Sequence, residues 1–181
     1  VLGSPNATIP RQYKKSDWDD KTPSPEVFQE MFRISKNQII FGGNFMQVEI
    51  GKNTSCYIVW DKDNTGNYAP CELAWTSFPI AIKKYTWRWN GMIQQDMKNK
   101  EIRIHPTQKP VQLIKMILRD FYKNLNSSGI VMDCYSGSGS IAVACDDMAI
   151  PFIAVEKDEE YWQKSNKRLQ DIKAQLKFKL F

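Results

Sequence analysis

The chain has 181 residues, of which 42% are hydrophobic and 25% are charged, and this length and balance are typical of one globular domain with a substantial core. No apolar run approaches the roughly 18 residues of a membrane span, so we predict no membrane partner. The single histidine and the four scattered cysteines offer a metal ion no plausible ligand set. The net charge of +5 favours a polyanionic partner, although the same balance is common in proteins that bind no nucleic acid.

The start of the chain predicts the end of a buried strand, Val1-Leu2-Gly3, followed by the short segment Ser4–Ala7 and a basic loop. Neither an initiator methionine nor the charged region of a secretory signal precedes this strand. We therefore expect that the N-terminus of the chain is incomplete.

A helix and three strands are predicted in the next part of the chain. Ser24 and Pro25 are residue types favoured at the N-cap and at the first helical position, and apolar residues then recur at helical spacing, which predicts a helix over 25–35. Three apolar runs, bounded by glycines and polar loops, predict strands at 38–41, 56–60 and 72–78.

The segment 83–89 mixes basic and aromatic residues in partial alternation, and it predicts a strand that stacks on bases and pairs with phosphates. The alternative is a solvated edge strand whose aromatic residues pack on one side. The polar stretch 90–104 is predicted to be a loop that becomes ordered with a partner. The nucleic-acid contacts predicted from these two segments are Lys83, Lys84, Trp87, Arg88, Lys98, Lys100 and Arg103.

Two further helices are predicted in the second half of the chain. Thr107 is predicted to cap a helix whose apolar residues run from Val111 to Phe121. The last helix, over 159–177, is predicted to bury an apolar side and to place its basic residues on a solvated face. The apolar side comprises Tyr161, Trp162, Leu169, Ile172 and Leu176, and the basic residues are Lys164, Lys167, Arg168 and Lys173.

A strand, a turn of small residues and a helix are predicted in succession over 130–148, and a second strand follows at 151–156. These strands end at Asp133 and Glu156, so the unit is predicted to be a parallel βαβ with a carboxylate at the end of each strand. Two glycines in the turn allow close approach of a ligand, and an acidic residue about twenty positions on suits the hydroxyls of a ribose. A carboxylate before the turn would repel a pyrophosphate and suits a cationic ligand, so the unit predicts a nucleoside site that differs from a dinucleotide site.

The pattern from Asp133 to Ser140, Asp-Cys-Tyr-Ser-Gly-Ser-Gly-Ser, resembles the S-adenosylmethionine loop of DNA amino-group methyltransferases. Five further segments match that family in the same order, namely 15–19, 37–44, 72–77, 87–92 and 105–110. Almost end to end, the chain thus resembles small DNA methyltransferases of the permuted beta arrangement, in which the catalytic half precedes the cofactor half.

The resemblance implies an α/β protein with the Rossmann-like fold of S-adenosylmethionine-dependent methyltransferases. In that fold a mostly parallel sheet, with one antiparallel strand, carries helices on both faces. The implied activity is methylation of the exocyclic N6 of adenine in double-stranded DNA. The chain would be one domain, 1–181, with target recognition over about 62–103 and the cofactor half over 105–181. A monomer or homodimer in a bacterial or phage cytoplasm is expected.

The resemblance also implies roles for individual residues. Asp133 would lie near the ammonium of the cofactor and Glu156 would hold its ribose, while Thr107 to Pro110 would begin the helix that covers the methionine end. The neighbouring His105 is interpreted as a structural residue, with catalytic base as the alternative. The implied cofactor-binding residues are Thr107, Lys109, Pro110, Asp133, Tyr135, Ser136, Gly137, Ser138, Gly139, Ser140 and Glu156.

The family holds its target base with a D/N/S-P-P-Y/F/W tetrapeptide, and Ser4, Pro5, Asn6 and Ala7 occupy that register as the implied catalytic residues. Only Ser4 and Pro5 fit the pattern. Asn6 loosens the turn, and Ala7 offers no ring, which forfeits ~1–3 kcal/mol of base stacking. Besides adenine-N6 methylation, two alternatives therefore stay open. One is a methyltransferase-like protein that grips DNA or a partner without turnover, and the other is cytosine-N4 methylation, with which a serine in the first position is compatible.

Overall fold

A computed structural model describes residues 22–64, 69–90, 93–123 and 128–178, with side chains described to residue 175. The predicted strand Val1-Leu2-Gly3 and the tetrapeptide Ser4–Ala7 lie outside the described residues.

The helices and strands that the sequence predicts within the described residues appear in the expected order, together with several short elements that it did not predict. The helices are α1 (Pro25–Ile34), α2 (Gln47–Ile50), α3 (Val111–Leu118), α4 (Ser140–Asp147) and α5 (Glu159–Phe178), with a 3-10 turn at Gly43–Phe45 and a π-helical turn at Arg119–Lys123. The strands are β1 (Ile39–Phe41), β2 (Tyr57–Asp61), β3 (Cys71–Thr76), β4 (Lys83–Thr86), β5 (Trp89–Asn90), β6 (Ile93–Gln94), β7 (Val131–Asp133) and β8 (Phe152–Ala154). The predicted first helix, the three strands after it and the βαβ unit are thus confirmed to within about two residues at each end, the usual uncertainty of such boundaries.

The main sheet has the strand order β1-β3-β2-β4. β3 pairs antiparallel with both β1 and β2, while β2 and β4 are parallel. The strands β1, β2 and β4 therefore end at one edge of the sheet, at which β3 begins, and we call this the carboxyl edge. β7 and β8 form a second, parallel pair, in register from Val131 with Phe152 to Asp133 with Ala154.

Helices cover both faces of the main sheet because successive strand residues point to opposite sides. In β3, Ala74 packs toward α3 and Trp75 packs toward α1 and α2. The α3 side is the larger core and comprises Cys56, Ile58, Trp60, Ala74, Phe78, Tyr85, Trp89, Leu113, Ile117 and Phe121. The opposite face of α3 packs on α4, Val131 and Phe152. Helix α3 thus joins the main sheet to the β7–β8 pair.

The apolar run at 130–132 is typical of a buried strand, but β7 is only partly buried, and the same is true of β8. Met132 and Ile153 lie side by side and are 45% and 48% exposed, and Ile130 and Val155 extend the same exposed face. Only the alternate residues of the two strands pack inward against α3 and α4. Continuous apolar sequence predicts burial on both faces, whereas one face of this pair is accessible.

The predicted strand over 83–89 is shorter than expected, and the predicted loop over 90–104 contains regular structure. β4 ends at Thr86, and β5 pairs with β6 as a short antiparallel hairpin. Gln94 in this hairpin is only 5% exposed. The side chain of Gln94 is therefore packed against the rest of the protein.

None of the helices in the described ranges combines the length and apolar character needed to cross a bilayer. Within the same ranges, no cluster of His, Cys, Asp and Glu could hold a metal ion. Of the four cysteines, Cys56 and Cys145 are buried, whereas Cys71 is exposed and Cys134 is partly so.

Candidate functional site

Residues 135–140 comprise the turn after β7 and the first residue of α4, and we call this segment the glycine turn. One backbone hydrogen bond ties it to the residue that follows β8. The N–H of Ser136 donates to the carbonyl of Val155 at 2.9 Å, and the N–H of Gly139 donates back to the carbonyl of Ser136 at 2.7 Å. Gly137 and Gly139 adopt left-handed φ values of 49° and 71°, a region that glycine enters without steric cost. At Gly139 a Cβ would also lie 3.0 Å from the Cβ of Ser165. The turn therefore needs a glycine at this position.

The Glu156 carboxylate holds the glycine turn from the end of β8. Its Oε2 accepts the N–H of Gly137 at 2.6 Å, and its Oε1 accepts the N–H of Asp158 at 2.9 Å. Each carboxylate oxygen can accept more than one hydrogen bond. Glu156 thus has the remaining acceptor capacity that a pair of ribose hydroxyls requires.

Asp133 lies at the end of β7, where its Oδ1 accepts the N–H of Tyr135 at 3.2 Å. Burial raises the pKa of Asp133 to about 6, and the Tyr135 hydrogen bond and the Lys109 charge offset this only in part. A desolvated carboxylate is stabilised by a cation placed beside it. The chemistry of this side chain therefore suits a ligand with an ammonium group.

Lys109 lies where the two sheets meet. Its Nζ is 4.7 Å from the centre of the Phe41 ring at the end of β1 and 3.8 Å from Glu72 Oε2 at the start of β3. Glu72 also pairs with Lys62, at 2.6 Å, and burial lowers the pKa of Lys109 despite the Glu72 charge. Because Lys109 also interacts electrostatically with Asp133, it connects the βαβ unit to the carboxyl edge of the main sheet. The sequence pattern had not singled out Lys62 or Glu72 as individual residues.

The prediction that Thr107 caps α3 is wrong, since the N-cap is Pro110. The N–H of Thr107 instead donates to His105 Nδ1 at 3.2 Å. The His105 ring is 8% exposed, and its centre is 4.3 Å from that of Tyr161. A Cβ on Gly137 would lie 3.4 Å from the same ring. These contacts favour the structural interpretation of His105, as a support for the glycine turn.

Arg168 does not lie on a solvated face, as the charge pattern of the last helix had suggested. Its side chain is 12% exposed and forms an ion pair of 2.7 Å with Glu101. It also donates to the carbonyl of Ser138 at 2.9 Å. The inward side of α5 therefore includes an arginine, while Trp162, predicted to be inside, is 47% exposed.

The predicted nucleic-acid contacts divide into two groups. Lys83, Lys98 and Lys100 are exposed, whereas Lys84 and Arg88 are also exposed but pair with Asp61 and Asp63. The two remaining residues, Arg103 and Trp87, point toward the protein interior. Arg103 donates to the carbonyl of Pro106 at 2.7 Å and lies 5.9 Å from the Trp89 ring. Trp87 packs against the core, and its carbonyl accepts the indole N–H of Trp60.

Comparison with known proteins agrees with this architecture. A sequence profile of the DNA methylase family matches residues 12–167. The structure of the M1.HpyAVI–SAM complex has a TM-score of 0.54 and 23% identity, over 81% of this chain and 83% of that one. TTHA0409 from Thermus thermophilus, described as a proposed DNA modification methylase, has a TM-score of 0.52 and 17% identity, over 80% and 75% of the two chains. No curated protein sequence gives a significant match.

The two structural likenesses confirm the predicted Rossmann-like fold of S-adenosylmethionine-dependent methyltransferases. The family match spans most of the chain, from before α1 into α5, and S-adenosylmethionine is the cofactor that this family uses. The chain belongs to the DNA methylase family of N6 and N4 amino-group methyltransferases.

Proposed function

We propose that this protein transfers a methyl group from S-adenosylmethionine to the exocyclic N6 of adenine in double-stranded DNA. The observation that carries the proposal is the pair of carboxylates, Asp133 and Glu156, at the ends of adjacent parallel strands on either side of a glycine turn. Their environments differ, as the two ends of the cofactor require. The partly buried Asp133 suits an ammonium, and the backbone-anchored Glu156 suits a diol.

When bound, S-adenosylmethionine supplies a methyl group on a positively charged sulfur, open to in-line attack by an amine. Asp133 pairs with the cofactor's ammonium, and the pKa of this carboxyl falls because a cation favours its charged form. Glu156 accepts the ribose hydroxyls and keeps Gly137 in place through its backbone N–H. Lys109 and Pro110, at the start of α3, close the methionine end.

The target base must leave the duplex before its amino group can reach the methyl carbon. Ser4 and the backbone after Pro5 accept the hydrogens of that amino group, which draws its lone pair into line with the methyl group. Asn6 and Ala7 favour a second candidate function, binding of DNA without turnover, because neither fixes nor stacks the base as the family pattern does. A serine at position 4 is also compatible with methylation of the N4 of cytosine, which is the alternative target.

The exposed lysines supply the attraction to the DNA backbone over the recognition region 62–103. Lys83, Lys98 and Lys100 face solvent, so phosphates can pair with them directly. Lys84 and Arg88 must exchange a carboxylate partner for a phosphate. Arg103 and Trp87 pack near Trp89 of the β5–β6 hairpin. Their removal would therefore affect DNA recognition by disturbing the hairpin and would remove no direct DNA contact.

A labelled-methyl assay on duplex DNA, followed by nucleoside analysis, tests the proposal. N6-methyladenine as the product supports the proposal. Because Asn6 and Ala7 predict little methyl transfer from the unmodified tetrapeptide, we expect a larger yield from the variant carrying Ser4→Asp, Asn6→Pro and Ala7→Tyr. N4-methylcytosine would move the target to the alternative base. Binding of cofactor and DNA with no product from either protein would favour the function without turnover. Absence of cofactor binding in calorimetry would refute the assignment of the carboxylate pair.

A further inference from the structure

A largely buried ion pair joins two segments that the sequence places far apart. Arg168 extends from α5, and Glu101 follows the β5–β6 hairpin by a few residues. The guanidinium Nη2 lies 2.7 Å from Glu101 Oε2, and the two side chains are only 12% and 22% exposed. The contact therefore excludes most solvent and is little screened by salt.

The other end of the Arg168 guanidinium holds the glycine turn. Its Nη1 donates to the carbonyl of Ser138 at 2.9 Å and to Ser140 Oγ at 3.1 Å. Ser140 Oγ in turn donates to the carbonyl of Lys109 at 2.7 Å. One planar group thus fixes both the glycine turn and, through Ser140, the segment that starts α3.

Glu101 makes the corresponding connections on the hairpin side. Its Oε1 accepts the N–H of Val111 at 2.9 Å. Its backbone N–H donates to Gln94 Oε1, and its carbonyl accepts from Gln94 Nε2, both at 2.8 Å. A continuous series of direct hydrogen bonds therefore runs from Gln94 in the hairpin through Glu101 and Arg168 to the glycine turn.

Stability alone is a weak reason for this arrangement. Burial raises the pKa of Glu101 and lowers that of Arg168, so neither charge is fully compensated by its partner. Apolar side chains of similar volume often replace such a pair without loss of stability. The forked geometry of arginine, however, orients two segments at once, which apolar packing does not do.

We infer that Arg168 and Glu101 are positioning residues that couple the β5–β6 hairpin to the glycine turn, so that order in the hairpin is transmitted to the cofactor site. The inference rests on the proposed function, since it assumes that the glycine turn binds S-adenosylmethionine and that the hairpin belongs to the recognition region. Contact with DNA at the hairpin then strengthens cofactor binding, and cofactor binding strengthens contact with DNA by the same factor.

A double-mutant cycle on the full chain tests this coupling, with cofactor affinity measured by calorimetry in the absence of DNA. Gln94→Ala removes the hairpin end of the series, and we expect about fivefold weaker binding of S-adenosylmethionine although Gln94 makes no contact with the glycine turn. Arg168→Met should weaken binding about tenfold. The double variant should bind no worse than Arg168→Met alone. Unchanged affinity in Gln94→Ala, or two effects that multiply, would overturn the inference.

Two further variants separate positioning from general destabilisation. Lys115→Met removes the ion pair with Asp147, which joins α3 to α4 away from this series, and should change cofactor affinity less than about twofold. Arg168→Lys retains the charge without the fork, so an intermediate affinity is expected. If the parent protein binds no cofactor, the proposed function fails. Hydrogen exchange at residues 136–140 then decides the coupling: faster exchange in Gln94→Ala supports it, and unchanged exchange overturns it.

Discussion

Replacing Asp133 by Asn should stabilise the ligand-free protein at neutral pH while weakening its binding of S-adenosylmethionine. Burial raises the pKa of this carboxyl from the ordinary 3.8 to about 6. That difference corresponds to about 3 kcal/mol of unfavourable free energy when the group is ionised. An asparagine must also be desolvated, so we expect a gain of about 1–2 kcal/mol in the free energy of unfolding. For a chain of this size, the gain raises Tm by roughly 2–8 °C.

The effect must depend on pH in one direction. Between about pH 4 and pH 6 the folded Asp133 keeps a proton that the unfolded chain has lost, so the stability of the parent falls as pH rises through this window. The asparagine side chain of the variant does not titrate. The stability difference between variant and parent should therefore be near zero at about pH 4 and complete above about pH 7.

Thermal unfolding followed by circular dichroism at acid and at neutral pH measures this difference. Asp171→Asn is the matched control, because this carboxylate is exposed on α5, where it pairs with Lys167. Little change in Tm is expected at either pH. Calorimetry should show at least tenfold weaker cofactor binding for Asp133→Asn. A Tm difference that is equal at both pH values would refute the reasoning, since it would show that ionisation of Asp133 does not destabilise the folded protein.

Three other predictions follow from the same geometry. In calorimetry, Glu156→Ala should weaken cofactor binding at least tenfold, by about 1.5–3 kcal/mol. Glu156→Gln should lose less affinity because its amide oxygen still accepts a hydrogen bond, and equal losses would show that Glu156 does not accept hydrogen bonds from the cofactor. Gly139→Ala should lower the free energy of unfolding by at least 1–2 kcal/mol in urea titrations, because alanine is strained at a left-handed φ, and an unchanged midpoint would contradict the required glycine. A variant with alanine at Lys83, Lys98 and Lys100 lacks three exposed basic charges. The slope of its log affinity for DNA against log salt should be smaller in magnitude by about 2.7, whereas equal slopes for variant and parent would place the DNA surface elsewhere.

The βαβ unit was predictable because its signals are local. A strand, a turn and a helix succeed one another within 130–148, and the turn needs glycine where the backbone is left-handed, at Gly137 and Gly139. The acidic residues stand at the strand ends, where parallel topology brings them to one edge. Each of these properties depends on neighbours within a few residues, so the sequence contains the information directly.

The contacts of Arg168 were not predictable in this way. Its ion-pair partner, Glu101, is 67 positions away, and helical periodicity treats any arginine among lysines as a surface residue. The same limitation applies to Trp87 and Trp89, which an alternating basic and aromatic pattern assigns to a nucleic-acid surface. Burial of Trp89 and of most of Trp87 depends on α3 and its π-helical extension, elements that lie more than twenty residues further along the chain.

The antiparallel direction of β3 has a consequence for where the chain can change in length. Because β3 runs against β2, the connection between Asp61 and Cys71 opens at the carboxyl edge, and these two residues still pair with each other across the hairpin. Doubling the length of a flexible loop costs only about 0.6 kcal/mol in closure entropy. Residues can therefore be inserted between Lys62 and Pro70 without a shift in strand register, next to the edge where Glu72 meets Lys109. If the region 62–103 reads the target sequence, as proposed, changes in this loop can alter DNA specificity while the glycine turn stays intact.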